Sequence, residues 1–280
     1  MRLIAVLLAL FAFAAQPAWA ASTPGMASLE QQLSYLVRNK SADVGIAALD
    51  LTSGESVSIK GDVPFPMAST VKVAVAALYL AQVDHGRRSL DDTINGVSAR
   101  SLMSRMLIHS DNRATDILIR DLGGPRALDE WLQQNGVRGV RVDRTIAQLL
   151  SDKRDLWDRR DSSTPMAMAD LLRKIYKAEI IRPQSRDYLL DVMARCKTGK
   201  NRIRALLPFG TPVEHKTGTL SGYTSDVGFI SLPDGRRIAV AMFARGGSNR
   251  PRTIAEAART IYDGFRTTFR WPWQPALSGR

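Results

Sequence analysis

Alternating apolar segments lie near both ends of this chain, separated by a long stretch with helical spacing, and that arrangement restricts how a sheet can be assembled. Residues 44–51 and 56–60 flank Thr52-Ser53-Gly54-Glu55 as a hairpin, after a helix over residues 26–39 that spaces Leu29, Leu33, Leu36 and Val37 along one side. Residues 213–220, 223–232 and 237–244 read as strands, with Pro233-Asp234-Gly235 as a turn, before a helix over residues 253–269. Between them, residues 69–210 are helical in pattern, and residues 69–83 are apolar on nearly every face until Gly86 ends the run, as expected of a helix at a domain centre. The expectation is an α/β part joined to an all-α part. Residues 21–61 and 211–280 form one antiparallel sheet from both termini, flanked by helices, and residues 62–210 form an inserted helical domain.

Residues 1–20 carry Arg2, an apolar run from Leu3 to Ala15 and Ala18-Trp19-Ala20, the layout of a secretory signal cleaved after Ala20. The apolar run is too short to span a bilayer, and no later segment reads as a membrane span. Export leads to an oxidising space, yet Cys196 is the sole cysteine, so no internal disulfide forms. Removing Arg2 with the signal takes the formal charge from +12 to +11, spread through the chain without a block. No nucleic-acid-binding motif accompanies that charge. An anionic cell-wall polymer or a carboxylate-bearing substrate fits the compartment better. His85, His109 and His215 are far apart in sequence and no cysteine pair exists, so neither a metal nor a cofactor is expected.

Three short strings carry the chemistry. Ser69-Thr70-Val71-Lys72 opens the apolar helix, where free backbone N–H groups and the helix dipole stabilise a developing oxyanion. Lys72, three residues on, lies on the same side as the hydroxyl. An amine at its usual pKa of about 10.4 accepts no proton at neutral pH, so the pairing requires burial and a second cation, for which Lys216 is the candidate. Ser110-Asp111-Asn112 falls at a turn between helices; its plain reading is a helix N-cap. Its functional reading makes Ser110 a proton shuttle to the leaving nitrogen and Asn112 a donor to a substrate carbonyl, with Asp111 holding the turn. Lys-Thr-Gly occurs twice. The copy at Lys216-Thr217-Gly218 lies in a strand, where Gly218 lets substrate approach and the Thr219 N–H is a second oxyanion donor. The copy at Lys197-Thr198-Gly199 follows a helix and reads as a cap.

The three strings in this order resemble those of the class A serine β-lactamases and their penicillin-binding relatives. That resemblance implies a β-lactamase/transpeptidase-like fold and an acyl-serine enzyme. It makes Ser69 the nucleophile, Lys72 its base and Ser110 the shuttle, with Lys216, Thr217 and Thr219 as a carboxylate site and Arg237 a further candidate for it. The chain departs from the family in residues 144–150, Arg-Thr-Ile-Ala-Gln-Leu-Leu. Matching Arg144 to the family's arginine puts Ile146 and Leu150 where a glutamate and an asparagine hold the hydrolytic water. Neither binds or deprotonates water, so the acyl-enzyme is expected to persist unless Asp152, Asp155 or Asp158 reaches inward. Asp161 matches an aspartate that pairs with Arg144. Only 41 residues separate Ser69 from Ser110, fewer than is usual in the family, which implies loss of an aromatic gate and a more open cleft.

Three functions remain open on the sequence: a slow β-lactam hydrolase, a cell-wall peptide hydrolase that β-lactams merely acylate, and a non-catalytic β-lactam-binding sensor. A Ser-His-Asp hydrolase is disfavoured because Gly-x-Ser-x-Gly is absent.

Overall fold

A computed structural model describes residues 23–153 and 155–268. The signal-like segment, residues 1–20, lies outside the described residues. The chain opens with α1 (Pro24–Arg38), capped by the Thr23 side chain, and the hairpin β1 (Asp43–Asp50) and β2 (Ser56–Ile59). A short strand β3 (Phe65–Pro66) and a 3-10 turn (Ala68–Val71) lead into α2 (Lys72–Asp84). The two-residue strands β4 (Thr93–Ile94) and β5 (Val97–Ser98) precede α3 (Ala99–Ile108), α4 (Asn112–Asp121), α5 (Gly124–Gln134) and α6 (Ile146–Ser151). Strand β6 (Ser162–Ser163) pairs with β3, and α7 (Pro165–Tyr176) and α8 (Pro183–Ala194) complete the helical region. A second 3-10 turn (Ile203–Leu206), strands β7 (Val213–Leu220), β8 (Tyr223–Ser231) and β9 (Arg237–Arg245), and helix α9 (Arg250–Thr268) close the chain.

The five long strands form one antiparallel sheet in the order β2-β1-β9-β8-β7, with Asp43 opposite Arg245 and Asp50 opposite Ile238. The sheet therefore joins both ends of the chain, as the two patterned segments require. Strand alternation sends successive side chains to opposite faces. Ile46, Ala48, Val240 and Met242 pack against α1 and α9 through Leu29, Leu33, Ile254 and Phe265. Ala47, Leu49, Ala239, Ala241 and Phe243 pack into the core shared with α2, α7 and the other inserted helices. Burying both faces explains why β1 reads as an almost continuous apolar run. Helix α2 is enclosed on all sides from Lys72 to Ala81, and its alanines let neighbouring helices approach closely. Asp50 and Arg236, both buried, form an ion pair at 2.6 Å that ties the β1–β2 turn to the β8–β9 turn.

Candidate active site

The serine segment is not helical from its first residue. Ala68 takes a left-handed backbone (φ 50°), Ser69 sits in the 3-10 turn, and the α-helix begins only at Lys72. Left-handed geometry costs an ordinary residue about 1–2 kcal/mol, and it turns the chain sharply from β3 into the helix. The turn lies against β7, the edge strand of the sheet, and Gly218 makes that approach possible. A β carbon at Gly218 would lie 2.7 Å from the Met67 carbonyl oxygen and collide with Ser225 Oγ. The close approach that glycine serves is thus of the chain to itself, where the sequence pattern points to substrate.

Two of the expected side chains, Lys72 and Lys216, converge on the Ser110 hydroxyl. Lys72 Nζ donates to Ser110 O at 2.7 Å, Ser110 Oγ at 3.1 Å and Asn112 Oδ1 at 2.8 Å. Lys216 Nζ donates to the same Ser110 Oγ at 2.9 Å and to Thr217 O at 2.8 Å. Both lysines are fully buried. Ser110 is held in a left-handed conformation (φ 60°). Asp111 next to it is the N-cap of α4, accepting from Ala114 N at 2.9 Å, and pairs with Arg105 at 2.6 Å. The plain and functional readings of this string both apply: the aspartate caps the helix while its neighbours face Lys72.

Two buried ammonium groups sharing one acceptor disfavour each other's charge. Burial, then the nearby Lys216, brings Lys72 down to about 7, against the opposing pull of Asp111 and Asp116. Burial also brings Lys216 down to about 8, with Arg202 adding to the effect and Cys196 and Asp226 opposing it. Lys72 is therefore able to hold or release a proton near neutrality. A neutral amine keeps two of its three hydrogen bonds as donor, to the Ser110 carbonyl and Asn112, and turns its lone pair to a hydroxyl.

The carboxylate side of the site differs from expectation. Arg237 opens β9 opposite Ser231, at the far end of the sheet from Thr219, Thr224 and Ala244. There it pairs with Glu214 at 3.0 Å and lies over the Tyr176 ring. Arg237 is not part of the site. The cation beside Thr219 is Arg202, buried, with Nη2 donating to Thr219 Oγ1 at 2.6 Å and Nη1 to Gly218 O and Ser225 O at 2.9 and 2.8 Å. Arg202 lies in the loop after α8, and nothing in its local sequence signals the contact.

The loop over residues 144–161 is well built, with arginines pairing most of its acids. Arg144 pairs with Asp161 at 2.6 Å, as expected, and also binds Asp152 and Asp158. Arg160 binds the same two aspartates, and its hydrogen bond holds the Asp158 carboxyl down at about 2. Asp155 accepts from Trp157 N. Asp152 and Asp158 are thus tied to arginines, while Asp155 and Asp158 line the same cavity as Ala68. Ile146 is buried at the start of α6, under a Thr145–Gln148 capping box, while Leu150 is half exposed at 51%. A carboxylate that no local pattern singles out anchors this turn: Asp116 of α4, buried, accepts from Ile146 N at 2.7 Å and Ala147 N at 2.9 Å. Its charge suits a helix start. A cavity of about 290 Å³ opens between the loop and the β7–β8 turn, lined by Ala68, Leu149, Leu156, Leu220 and Tyr223 among others.

Among the described residues, no cluster of three or more histidine, cysteine or acidic side chains has the arrangement to hold a metal. A two-ended sheet with inserted helices, and a serine turn facing two lysines across a shared hydroxyl, define a serine hydrolase that works through an acyl-serine. A β-lactamase enzyme family model matches residues 28–265. The extended-spectrum β-lactamase PER-1 of Pseudomonas aeruginosa is 32% identical over 267 residues, covering 84% of this chain and 86% of the relative. A β-lactamase of Amycolatopsis lactamdurans is 32% identical over 263 residues, covering 85% and 86%. Among solved structures, a mutant of the class A β-lactamase of the last common ancestor of Gram-negative bacteria superposes with a TM-score of 0.81 at 32% identity, covering 86% of this chain and all of that one. TLA-1 extended-spectrum β-lactamase superposes at 0.80 with 28% identity, covering 86% and 99%. The chain belongs to the class A serine β-lactamase family.

Proposed function

We propose that this protein, exported under the signal at residues 1–20, is acylated by β-lactams at Ser69 and releases the acyl group slowly. The observation that carries acylation is Ser110 Oγ lying between two buried lysines, 3.1 Å from Lys72 Nζ and 2.9 Å from Lys216 Nζ. Neutral Lys72 takes the proton as Ser69 Oγ attacks the lactam carbonyl; Lys72 and Ser110 then pass it to the leaving nitrogen. The backbone N–H groups of Ser69 and Thr219 receive the oxyanion. Lys216, Thr217 and Thr219, with Arg202 behind them, hold the substrate carboxylate, while Gly218 keeps the strand close and Asn112 presents its free amide N–H₂ to the substrate side chain. Slow release rests on Ile146, an apolar side chain where a water-activating carboxylate would stand, and on Asp152 and Asp158 being bound to arginines. General-base assistance is worth about 10² to 10⁴ in rate.

The second reading, a cell-wall peptide hydrolase, is favoured by the short connection from α2 to α3, which holds only the β4–β5 hairpin. Incubation with a chromogenic cephalosporin followed by intact-mass measurement separates the readings. A single colour burst and a lasting mass adduct that Ser69→Ala abolishes is the expected result. Continuous colour release overturns slow deacylation, and absence of an adduct overturns acylation. Release of D-alanine from a cell-wall pentapeptide supports the second reading.

A further inference from the structure

Behind the Lys216 strand lies a second cluster that the acylation chemistry does not use. His215 and Thr217, two residues apart, share the face of β7 opposite Lys216. His215 Nδ1 contacts Asp226 Oδ1 at 2.8 Å and Oδ2 at 3.0 Å, and both residues are fully buried. The other ring nitrogen, Nε2, is buried without a hydrogen-bond partner. The charge on the ring acts on the Cys196 thiol, in the turn after α8. Cys196 Sγ lies 3.3 Å from Thr198 Oγ1, which lies 2.5 Å from Thr217 Oγ1, and Thr217 adjoins Lys216.

We propose that Cys196 is a covalent modification site, a buried thiolate that hydrogen peroxide converts to a sulfenic acid, and that the added oxygen disables acylation at Ser69 by displacing Thr217 and Lys216. The charge arrangement supports the thiolate. Lys216 and His215 from β7 and Arg202 from the loop place three cationic groups around one buried carboxylate, Asp226 from β8, and a thiolate supplies a second negative charge. Burial alone would push the Cys196 thiol up; the His215 imidazolium, with Thr198 and Lys216, outweighs it and brings the thiol to about 7. Burial likewise opposes charge on His215, yet Asp226 and Cys196 raise it to about 9. Peroxide is scarcely larger than water, and Cys196 retains 7% exposure.

The reaction balances within this cluster. The sulfur attacks one peroxide oxygen, the S–O bond forms as the O–O bond breaks, and hydroxide leaves with the bonding pair. It takes the Nε2 proton of His215 and departs as water. Sulfur loses two electrons and peroxide gains them. Cys196 is the chain's one cysteine, so no internal thiol resolves the product. At Gly199 the turn is packed tightly against β7. Gly199 (φ 72°) sits so close to Thr217 that a β carbon there would collide with Thr217 Cγ2.

The functional half of this inference rests on acylation at Ser69; the chemical half does not. The test treats the full chain with peroxide at pH 7, traps sulfenic acid with dimedone, maps the adduct, and measures penicillin labelling by intact mass. The expected result is an adduct on Cys196 forming about tenfold faster than on an unactivated cysteine, because more of the thiol is ionised. In a parallel sample without dimedone, labelling should fall as the sulfenic acid forms and return on reduction by dithiothreitol. Cys196→Ala should be labelled before and after peroxide alike, which separates this effect from methionine oxidation. In the unsubstituted protein, the rate of iodoacetamide alkylation should hold down to about pH 7 and fall below it. No dimedone adduct on folded Cys196, or an adduct with labelling undiminished, overturns the proposal. If the untreated protein takes no penicillin, the reading of function fails, and the dimedone map still decides whether Cys196 is the modification site.

Discussion

The lysine cluster around Ser110 and the loop over residues 144–161 are both rich in charge, and they resolve it in opposite ways. Around Ser110, Lys72 and Lys216 are buried against one hydroxyl with no carboxylate in direct contact, so both amines are driven toward neutrality. In the loop, Asp152, Asp158 and Asp161 each meet an arginine, and Asp158 is held ionised far below neutral pH. Charges left uncompensated make groups that exchange protons near pH 7; charges compensated in full make a brace. The serine side holds amines poised to exchange protons, and the loop is held as a frame by its arginine–aspartate pairs.

The largest effect that would break this contrast concerns the base. Lys72→Gln should lower the acylation rate by about 10² to 10⁴ while leaving the fold intact, read by stopped-flow colour burst and circular dichroism. In the unsubstituted protein the rate should rise with pH through about 7, as Lys72 loses its proton and becomes able to accept one. It should fall above about 8, as Lys216 loses the charge that attracts a carboxylate. The two apparent values belong to the pair of lysines together. A flat profile from pH 5 to 9 would refute the displaced amines.

A smaller effect supplies what the loop lacks. Ile146→Glu should speed loss of the acyl mass adduct, but Asp116 grips the backbone of residue 146 and its charge repels the new carboxylate. Adding Asp116→Asn should bring the gain to about 10², and equal rates in the single and double variants would show that the two groups do not interact. Next in size, Asp161→Asn removes the charge shared by Arg144 and two backbone N–H groups, and should cost about 1–3 kcal/mol in urea unfolding. Acylation should change far less than stability. The smallest effect is expected for Arg237→Ala, which loses a partly exposed pair with Glu214 and should leave penicillin labelling unchanged.

The residues legible in the sequence are those whose chemistry depends on short, fixed spacings. Ser69 and Lys72, Ser110 and Asn112, and Lys216 through Thr219 each lie within a few residues of one another, and the fold brings the three strings together. The Arg144–Asp161 pair is also readable, through the family resemblance. Arg202, Asp116 and the His215–Asp226 pair are not, because each acts across 11 to 30 residues on a partner of ordinary type. Arg237 misleads because a strand residue's distance from a site depends on register, which composition does not reveal. The start of the serine helix differs from expectation for a local reason. Apolar periodicity runs straight through residues 69–71, while the left-handed Ala68 and the packing of Gly218 hold them in a tighter turn.

The pairing of Asp43 with Arg245 places the first strand of the sheet in the hands of the last. During synthesis, β1 and β2 emerge early and wait for β9, so the sheet cannot close until nearly the whole polypeptide is available. Contacts so distant along the chain slow folding, whereas the helices between them rest on nearer neighbours and are free to gather first. A chain with this order of assembly keeps its sheet incomplete until its last strand has been made.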